Sequence, residues 1–294
     1  MTTSPRVVLG LPAFARPDSL PRALESLLSQ TYQDFALVVV DDAPHANVAE
    51  IVGRYASDYP QISYLANSTR LGMVGNWRKV FEQARTRYPH SEYFAWVSDH
   101  DVWHARWLET VVSVLDREPG VVVAYTASLR TNSEDAWLEK KGFDTAGIRR
   151  ASTRIARAAG QMLAGDTIYG LIRAEALEAA GVFRHVVTPD RQVLLALSLF
   201  GGVRHVPEVL WYREMERDFD LERQRKVFFP DGTPAYAYLP SHVQHCASLL
   251  WDFGIRGKGR PYFGRFAGAS YAAIHLWYST ARQLPRLGRR ARAS

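Results

Sequence analysis

Val7-Val8-Leu9-Gly10-Leu11-Pro12 and, one helical stretch later, Ala36-Leu37-Val38-Val39-Val40-Asp41-Asp42 are short apolar runs rich in β-branched residues, each closed by a polar or turn-forming group. Continuous runs of this kind belong to strands covered on both faces, the environment of a parallel sheet. Val121 to Tyr125 repeats the pattern, and Ile62 to Leu65 and Tyr93 to Val97 read likewise. Between them lie apolar stripes at i, i+3 or i+4, i+7 spacing: Leu20, Ala23, Leu24, Leu27, Leu28; Val48, Ile51, Val52, Tyr55; Trp77, Val80, Phe81, Ala84; Trp107, Leu108, Val111, Val112, Leu115. Each is the buried face of an amphipathic helix. Strand and helix alternate as in βαβ units, which predicts a Rossmann-like α/β fold with a mainly parallel sheet, right-handed crossovers and flanking helices.

Four segments just after predicted strands carry the polar chemistry: Pro12 to Arg16, Asp41-Asp42, Arg70 to Asn76, and Ser98-Asp99-His100-Asp101. In an open α/β sheet the carboxyl ends of the strands share one edge, where ligands bind. Two acidic pairs and two arginines meeting there suit a divalent cation and a diphosphate, since carboxylates hold the cation while arginine and metal neutralise phosphate. No Gly-x-Gly-x-x-Gly follows the first strand, so a dinucleotide-binding oxidoreductase lacks its phosphate loop. His100-Asp101-Val102-Trp103-His104 puts two histidines four apart, but the first follows a strand end instead of sitting on an established helix, which speaks against a zinc hydrolase. His185 and His205 read as core or surface residues.

Order weakens from Arg130 to Gly160, a polar stretch with Asn132, Ser133, Lys140, Lys141, Gly142 and Gly147 that reads as a long loop or flap. It returns with Ile168 to Ile172, a helix around Ala174 to Ala180, a second from Arg191 to Phe200, and a strand over Val203 to Tyr212. Pro230-Asp231-Gly232-Thr233-Pro234 is a turn-rich junction before aromatic helical material. Two regions are therefore expected, a catalytic domain over 1–220 and a helical, basic extension over 221–294.

The net charge of +6 is unevenly spread. No acidic residue follows Asp252, while Arg256, Lys258, Arg260, Arg265, Arg282, Arg286, Arg289, Arg290 and Arg292 do, so the rest of the chain has 36 − 9 = 27 basic against 30 acidic residues, or −3. This asymmetry points to an anionic partner, a membrane surface or polyanionic acceptor ahead of nucleic acid. Phe266 to Ala281 is uncharged and rich in aromatics, too short to cross a bilayer but suited to lying in its interface; packing on the catalytic domain or on a second copy in a homo-oligomer is the other reading. Cys246 is the sole cysteine, so no intrachain disulfide forms. With an opening apolar run that Pro12 ends too early for a signal peptide, a cytoplasmic location is expected, peripheral on the inner face of the membrane if the tail binds lipid.

The first strand and turn, the helix ending Leu27-Leu28-Ser29-Gln30-Thr31-Tyr32, and Val38-Val39-Val40-Asp41-Asp42 resemble the opening of glycosyltransferase family 2. Asn67 to Asn76, Asp99-His100-Asp101, Tyr169 to Arg173 and Val206 to Arg213 continue the likeness across about residues 5 to 215. The resemblance implies the GT-A fold and an inverting enzyme that moves a sugar from a UDP- or dTDP-linked donor to a hydroxyl acceptor in cell-envelope, polysaccharide or natural-product glycosylation. Pro12, Phe14 and Arg16 would edge the nucleotide base; Asp41 and Asp42 would accept hydrogen bonds from base or ribose; Arg70, Gly72 and Asn76 would line the same pocket. Asp99 and Asp101 would form the acidic pair that holds a magnesium or manganese ion against the diphosphate, with Asp99 also facing the nucleotide. Asp190, where the family has an acid at a helix start, would be the general base.

Two positions depart from the family pattern. Pro189 stands where a Glu precedes the base, and Tyr212-Arg213-Glu214-Met215 lacks the His that often closes this segment. Two other readings use the same residues: a degenerate member that binds a nucleotide sugar or polyanion without turnover, and a nucleotidyltransferase, which would want a Lys in the first loop where none stands.

Overall fold

The computed structural model describes residues 4–44, 47–131, 136–138, 142–162, 164–214 and 221–290. The first half alternates as expected: β1 (Val7–Ala13), α1 (Leu20–Leu28), β2 (Phe35–Asp41), α2 (Val48–Asp58), β3 (Ile62–Ala66), α3 (Gly72–Arg87), β4 (Tyr93–Trp96), a two-residue β5 (Val102–Trp103) and α4 (Trp107–Arg117). Then come β6 (Val121–Thr131), β7 (Ala136–Leu138), α5 (Ala151–Gln161), α6 (Ala164–Thr167), β8 (Leu171–Arg173), α7 (Ala174–Ala180), α8 (Pro189–Phe200) and β9 (Gly202–Glu214). The chain closes with α9 (Leu221–Phe228), α10 (Ser241–Leu249), a π-turn over Leu250–Ile255, and α11 (Arg260–Arg290), broken at Gly264 where φ is 76°.

One sheet runs β3-β2-β1-β4-β8-β6-β9-β5, with β7 added to β6. The long ladders, β1 with β2 and β4, β2 with β3, and β6 with β9, are parallel. The short strands β5, β7 and β8 run antiparallel to theirs. The β1–β4 ladder stops at Gly10, because Pro12 has no N–H to extend it, while pairing with β2 runs on to Ala13, just before the loop that carries Phe14 and Arg16. Gly10 itself admits α3 against the sheet, since a Cβ there would run into Val80 and Phe94.

The apolar runs of β1 and β2 are buried throughout, and their alternate residues feed two cores. Val7, Leu9 and Leu11 pack with α1, α2 and α4, while Val8 packs with α3, α5, α7 and α8. The second core continues without a break into Leu249, Phe253 and Ala272 of the C-terminal helices.

The 130–160 stretch is not a continuous loop. β6 continues to Thr131, and α5 occupies 151–161. Ile155, Ala158 and Ala159 bury one face of α5, and Arg154, only 7% exposed, donates to the carbonyls of Ile148, Arg149, Ser198 and Leu199. The arginines that make this segment look solvated are in part mortar between helices. Asn132, Ser133, Lys140 and Lys141 lie outside the described residues.

Candidate active site

All four strand-end segments meet at the carboxyl edge. Asp42 N–H donates to the Ala13 carbonyl at 3.0 Å, Asn67 N–H to the Asp41 carbonyl at 2.9 Å, and Phe14 N–H to Asp99 Oδ2 at 2.9 Å. The Arg70 guanidinium lies 4.5 Å from the centroid of the half-exposed Phe14 ring, so one expected base-edging residue and one expected pocket-lining residue form a cation–π pair at the mouth. Arg16 and Pro12 are partly buried beside it.

The second acidic pair has structural work. Asp42, 4% exposed, accepts from Asn67 Nδ2 and Leu71 N–H on Oδ1 and from Gly72 N–H on Oδ2, at 2.7–2.8 Å. It thus caps α3 from a different strand, satisfying N–H groups a helix start leaves orphaned. Asp41 accepts from Ala43 N–H and the Tyr64 hydroxyl. Asn76 accepts from Asn67 Nδ2 and donates to the Val40 carbonyl, stapling α3 to the end of β2. Gly72 has φ 70°, and what approaches it closely is the ring of Pro230, 2.8 Å from where a Cβ would stand. These residues hold the Arg70 loop in place.

At the end of β4, His100 lies against both members of its acidic pair: Nδ1 is 2.8 Å from Asp99 Oδ1 and Nε2 3.8 Å from Asp101 Oδ1. Asp101 is 1% exposed and accepts Glu214 N–H at 2.9 Å. Burial raises its pKa, against the pull of His100, Ser98, the Glu214 amide and Arg213. A buried carboxylate whose charged form is disfavoured by desolvation gains from a nearby cation. The donor set is hard oxygen, and a magnesium-type ion takes only one or two protein carboxylates, phosphates and water supplying the rest. The pair therefore fits a magnesium or manganese ion, although no cluster of three or more metal-ligating side chains occurs among the described residues.

Asp190 enters from α8. Thr188 caps that helix in the left-handed region at φ 53°, an uncommon conformation for a β-branched residue, and Pro189 takes the first helical position. The α10 side chains fix this entry: Gln244 Oε1 accepts Val187 N–H at 3.0 Å, and His245 Nε2 lies 2.8 Å from the Val187 carbonyl. Burial raises the pKa of Asp190, opposed by backbone N–H groups and by the charges of Arg191 and Arg213. The buried Tyr169 hydroxyl, its pKa pushed well up, feels Arg213, Asp101, Asp99 and Asp190 together. Tyr169 thus lies within electrostatic reach of the acidic pair and of Asp190.

Arg213 is the residue beside Tyr169 to which sequence reading gave no role. Its guanidinium lies 5.6 Å from the Tyr169 ring and 5.2 Å from the Trp211 ring, and it pairs with Asp166 Oδ1 at 2.8 Å. Asp166 also holds Arg130 at 2.7 Å and accepts from Ser128 Oγ. The available signal was alternation along β9, which sends Trp211 and Arg213 to one face.

Residues 9–180 match the family model described as glycosyl transferase family 2. Over 130 residues the chain is 25% identical to the putative glycosyltransferase EpsE of Bacillus subtilis, a match covering 44% of this chain and 45% of that protein. The fold superposes on TarS from S. aureus with a TM-score of 0.63 at 12% identity, over 95% of this chain and 43% of TarS, a protein also solved with UDP and with UDP-GlcNAc. It superposes on the mannosyltransferase PcManGT from Pyrobaculum calidifontis, in complex with GDP-Man and Mn2+, with a TM-score of 0.55 at 15% identity, over 96% of this chain and 88% of that one. The chain spans less than half the length of EpsE and TarS.

Proposed function

The chain belongs to glycosyl transferase family 2, and from that premise we propose that it transfers a sugar, with inversion, from a UDP- or dTDP-linked donor to a hydroxyl acceptor. The observation that carries this reading is the gathering of Asp99, Asp101, Asp190 and Arg213 around Tyr169, with the Phe14–Arg70 pair at the mouth of the same sheet edge. As the acceptor oxygen bonds to the anomeric carbon, its proton passes to Asp190 and the bond to the diphosphate breaks. A carboxylate whose pKa burial has raised is the stronger base for that proton. Arg213 and Arg70 supply positive charge for the diphosphate, and Phe14 a face for the nucleobase. Asp99 and Asp101 would hold a magnesium or manganese ion, which when bound neutralises charge on the leaving group.

The same reading sets the C-terminal helices against an anionic membrane surface. Among the described residues no helix is long and apolar enough to cross a membrane.

Thermal unfolding of the purified chain with UDP, dTDP and GDP, with and without manganese, tests the donor. A ligand at about a hundred times its Kd stabilises by about 2.7 kcal/mol. The expected result is manganese-dependent stabilisation by UDP or dTDP that Asp101→Ala abolishes. Indifference to every nucleotide would sink the donor reading.

A further inference from the structure

A cavity of about 200 Å³ lies where α5, α8, α10 and α11 meet, and its titratable and charged lining is all nitrogen: Arg191, His242, His245 and Arg282. Thr188, Ser241 and Ser279 add hydroxyls, Ala159 is its one apolar residue, and no carboxylate lines it among the described residues. Asp99, Asp101, Phe14, Arg70 and Arg213 stay outside it, and so does Asp190, although Thr188 and Arg191 flank that residue along the chain.

Its chemistry asks for an anion that still carries a proton. Arg191 and Arg282 both donate to the Met162 carbonyl, and Arg191 also to those of Ala158 and Ala159, so the end of α5 orients two guanidinium forks through oxygens that do not cancel their charge. His245 is 1% exposed, and its Nε2 lies 2.8 Å from the Val187 carbonyl. A carbonyl only accepts, so Nε2 carries the proton of a ring that burial keeps neutral, and Nδ1 is left as an acceptor. That Nδ1 has no hydrogen-bond partner among the described residues, an unmet polar group of the kind native interiors avoid unless a ligand or water completes it. A single water, at about 30 Å³, leaves most of the cavity unfilled. The volume also falls below the roughly 300 to 1,000 Å³ of sites that bury a whole drug-sized ligand, which suits one head group. Phosphate with one proton offers oxygens to the two arginines and an O–H to His245; sulfate, fully ionised at neutral pH, offers only the first.

We propose that this cavity is a phosphate site, taking inorganic phosphate or the head of a phosphate monoester, with Arg191 and Arg282 on its oxygens and its O–H on His245 Nδ1. The site stands apart from the transferase reading, since no residue assigned to donor, metal or base lines it. A ligand there bridges the catalytic domain and the C-terminal helices next to the start of the Asp190 helix. Calorimetry on the full chain in phosphate-free buffer, at one ionic strength set with sodium chloride, uses inorganic phosphate, glycerol 3-phosphate and sulfate as probes, with UDP titrated in parallel. Phosphate should bind alone and in saturating UDP, and sulfate about tenfold more weakly or worse, because it leaves His245 unmet. Glycerol 3-phosphate separates the sources: binding admits a monoester head, while binding of phosphate alone restricts the site to the free ion. Arg282→Gln should weaken phosphate about tenfold and leave UDP affinity unchanged. The sulfate comparison needs no variant, so it decides the matter should that one fold poorly. Four outcomes overturn the proposal: phosphate does not bind, sulfate binds as well as phosphate, Arg282→Gln folds and binds phosphate as the wild type does, or UDP displaces phosphate, which assigns it to the diphosphate groups. Phosphate binding without UDP binding leaves the site standing and removes the donor reading instead.

Discussion

In the proposed reaction Asp190 is the single side chain that takes the proton. Its neighbours pull in both directions: burial favours the protonated acid, while Arg191, Arg213 and the N–H groups of the helix start favour the carboxylate, and burial wins. Transfer needs the carboxylate, so activity should fall as the pH drops through that raised value. The acid limb of kcat/KM should therefore lie above the ordinary aspartate value of 3.8. Asp190→Asn removes the proton acceptor and keeps the shape; it should lower kcat by about 10²- to 10⁴-fold with nucleotide affinity intact. Turnover kinetics and UDP calorimetry on the same preparation decide it: unchanged turnover would move the base elsewhere, and UDP binding with no turnover in the unsubstituted chain would make the protein a binder. The sequence marks Asp190 as a candidate only by its place at a predicted helix start. The raised proton affinity is not legible there, since it comes from surroundings scattered through the chain.

Among the elements, α3 shows how a residue can be read correctly for place and differently for use. Asp42 and Gly72 were both read as nucleotide-facing. In the structure Asp42 is occupied as the cap of α3, and Gly72 makes room for Pro230. Asp42→Ala should cost about 2 to 4 kcal/mol in urea unfolding, since it strips two helix N–H groups and the Asn67 amide of a charged acceptor. A loss below about 0.5 kcal/mol would mean that α3 is capped by other means. Strand runs and helix stripes were legible because period 2 and period 3.6 leave local marks, and α1, α2 and α4 fall where their stripes are. The helix α5 was missed although Ile155, Ala158, Ala159 and Met162 carry the same spacing, because Arg149, Arg150, Arg154 and Arg157 outweigh four small or medium apolar residues in a short window. Arg154 is buried against carbonyls of other elements, a long-range fact that local pattern cannot contain.

The C-terminal helices act at the scale of the whole molecule, and their inner and outer faces make separate predictions. Inside, His245 and His275 are buried 5.9 Å apart, with His242 and Arg191 the charged or titratable groups bearing on both; burial holds their pKa values down to about 3 and about 4 from the ordinary 6.5. Both must stay neutral when folded yet protonate when unfolded, so their stabilisation is complete above 6.5 and is lost as the pH falls toward 4. At about pH 5 the loss is about 2 kcal/mol for each. Urea midpoints should drop across that window, and His275→Phe should flatten the drop. Because His245 lies against Val187 two residues before the capped start of the Asp190 helix, acid that loosens α10 should also loosen the base.

Outside, α11 has Phe266 at 92% and Trp277 at 73% exposure on a face without charge from 266 to 281, flanked by Arg256, Lys258, Arg260 and Arg265 at one end and Arg282 at the other. Packing on the core accounts for Ala272, His275 and Ser279 but gives no reason for the aromatics opposite them. An anionic bilayer accounts for both, since the rings enter the interface and each basic side chain near the surface gains about 1 kcal/mol. The chain should sediment with phosphatidylglycerol vesicles, less with phosphatidylcholine, and less again in high salt. Phe266→Ser with Trp277→Ser, both exposed and so harmless to the core, should release it. Vesicle binding that ignores both the aromatic substitutions and the salt would sink the membrane assignment and leave a second copy of the chain as the occupant, which analytical ultracentrifugation of the same double variant would then detect as loss of a dimer.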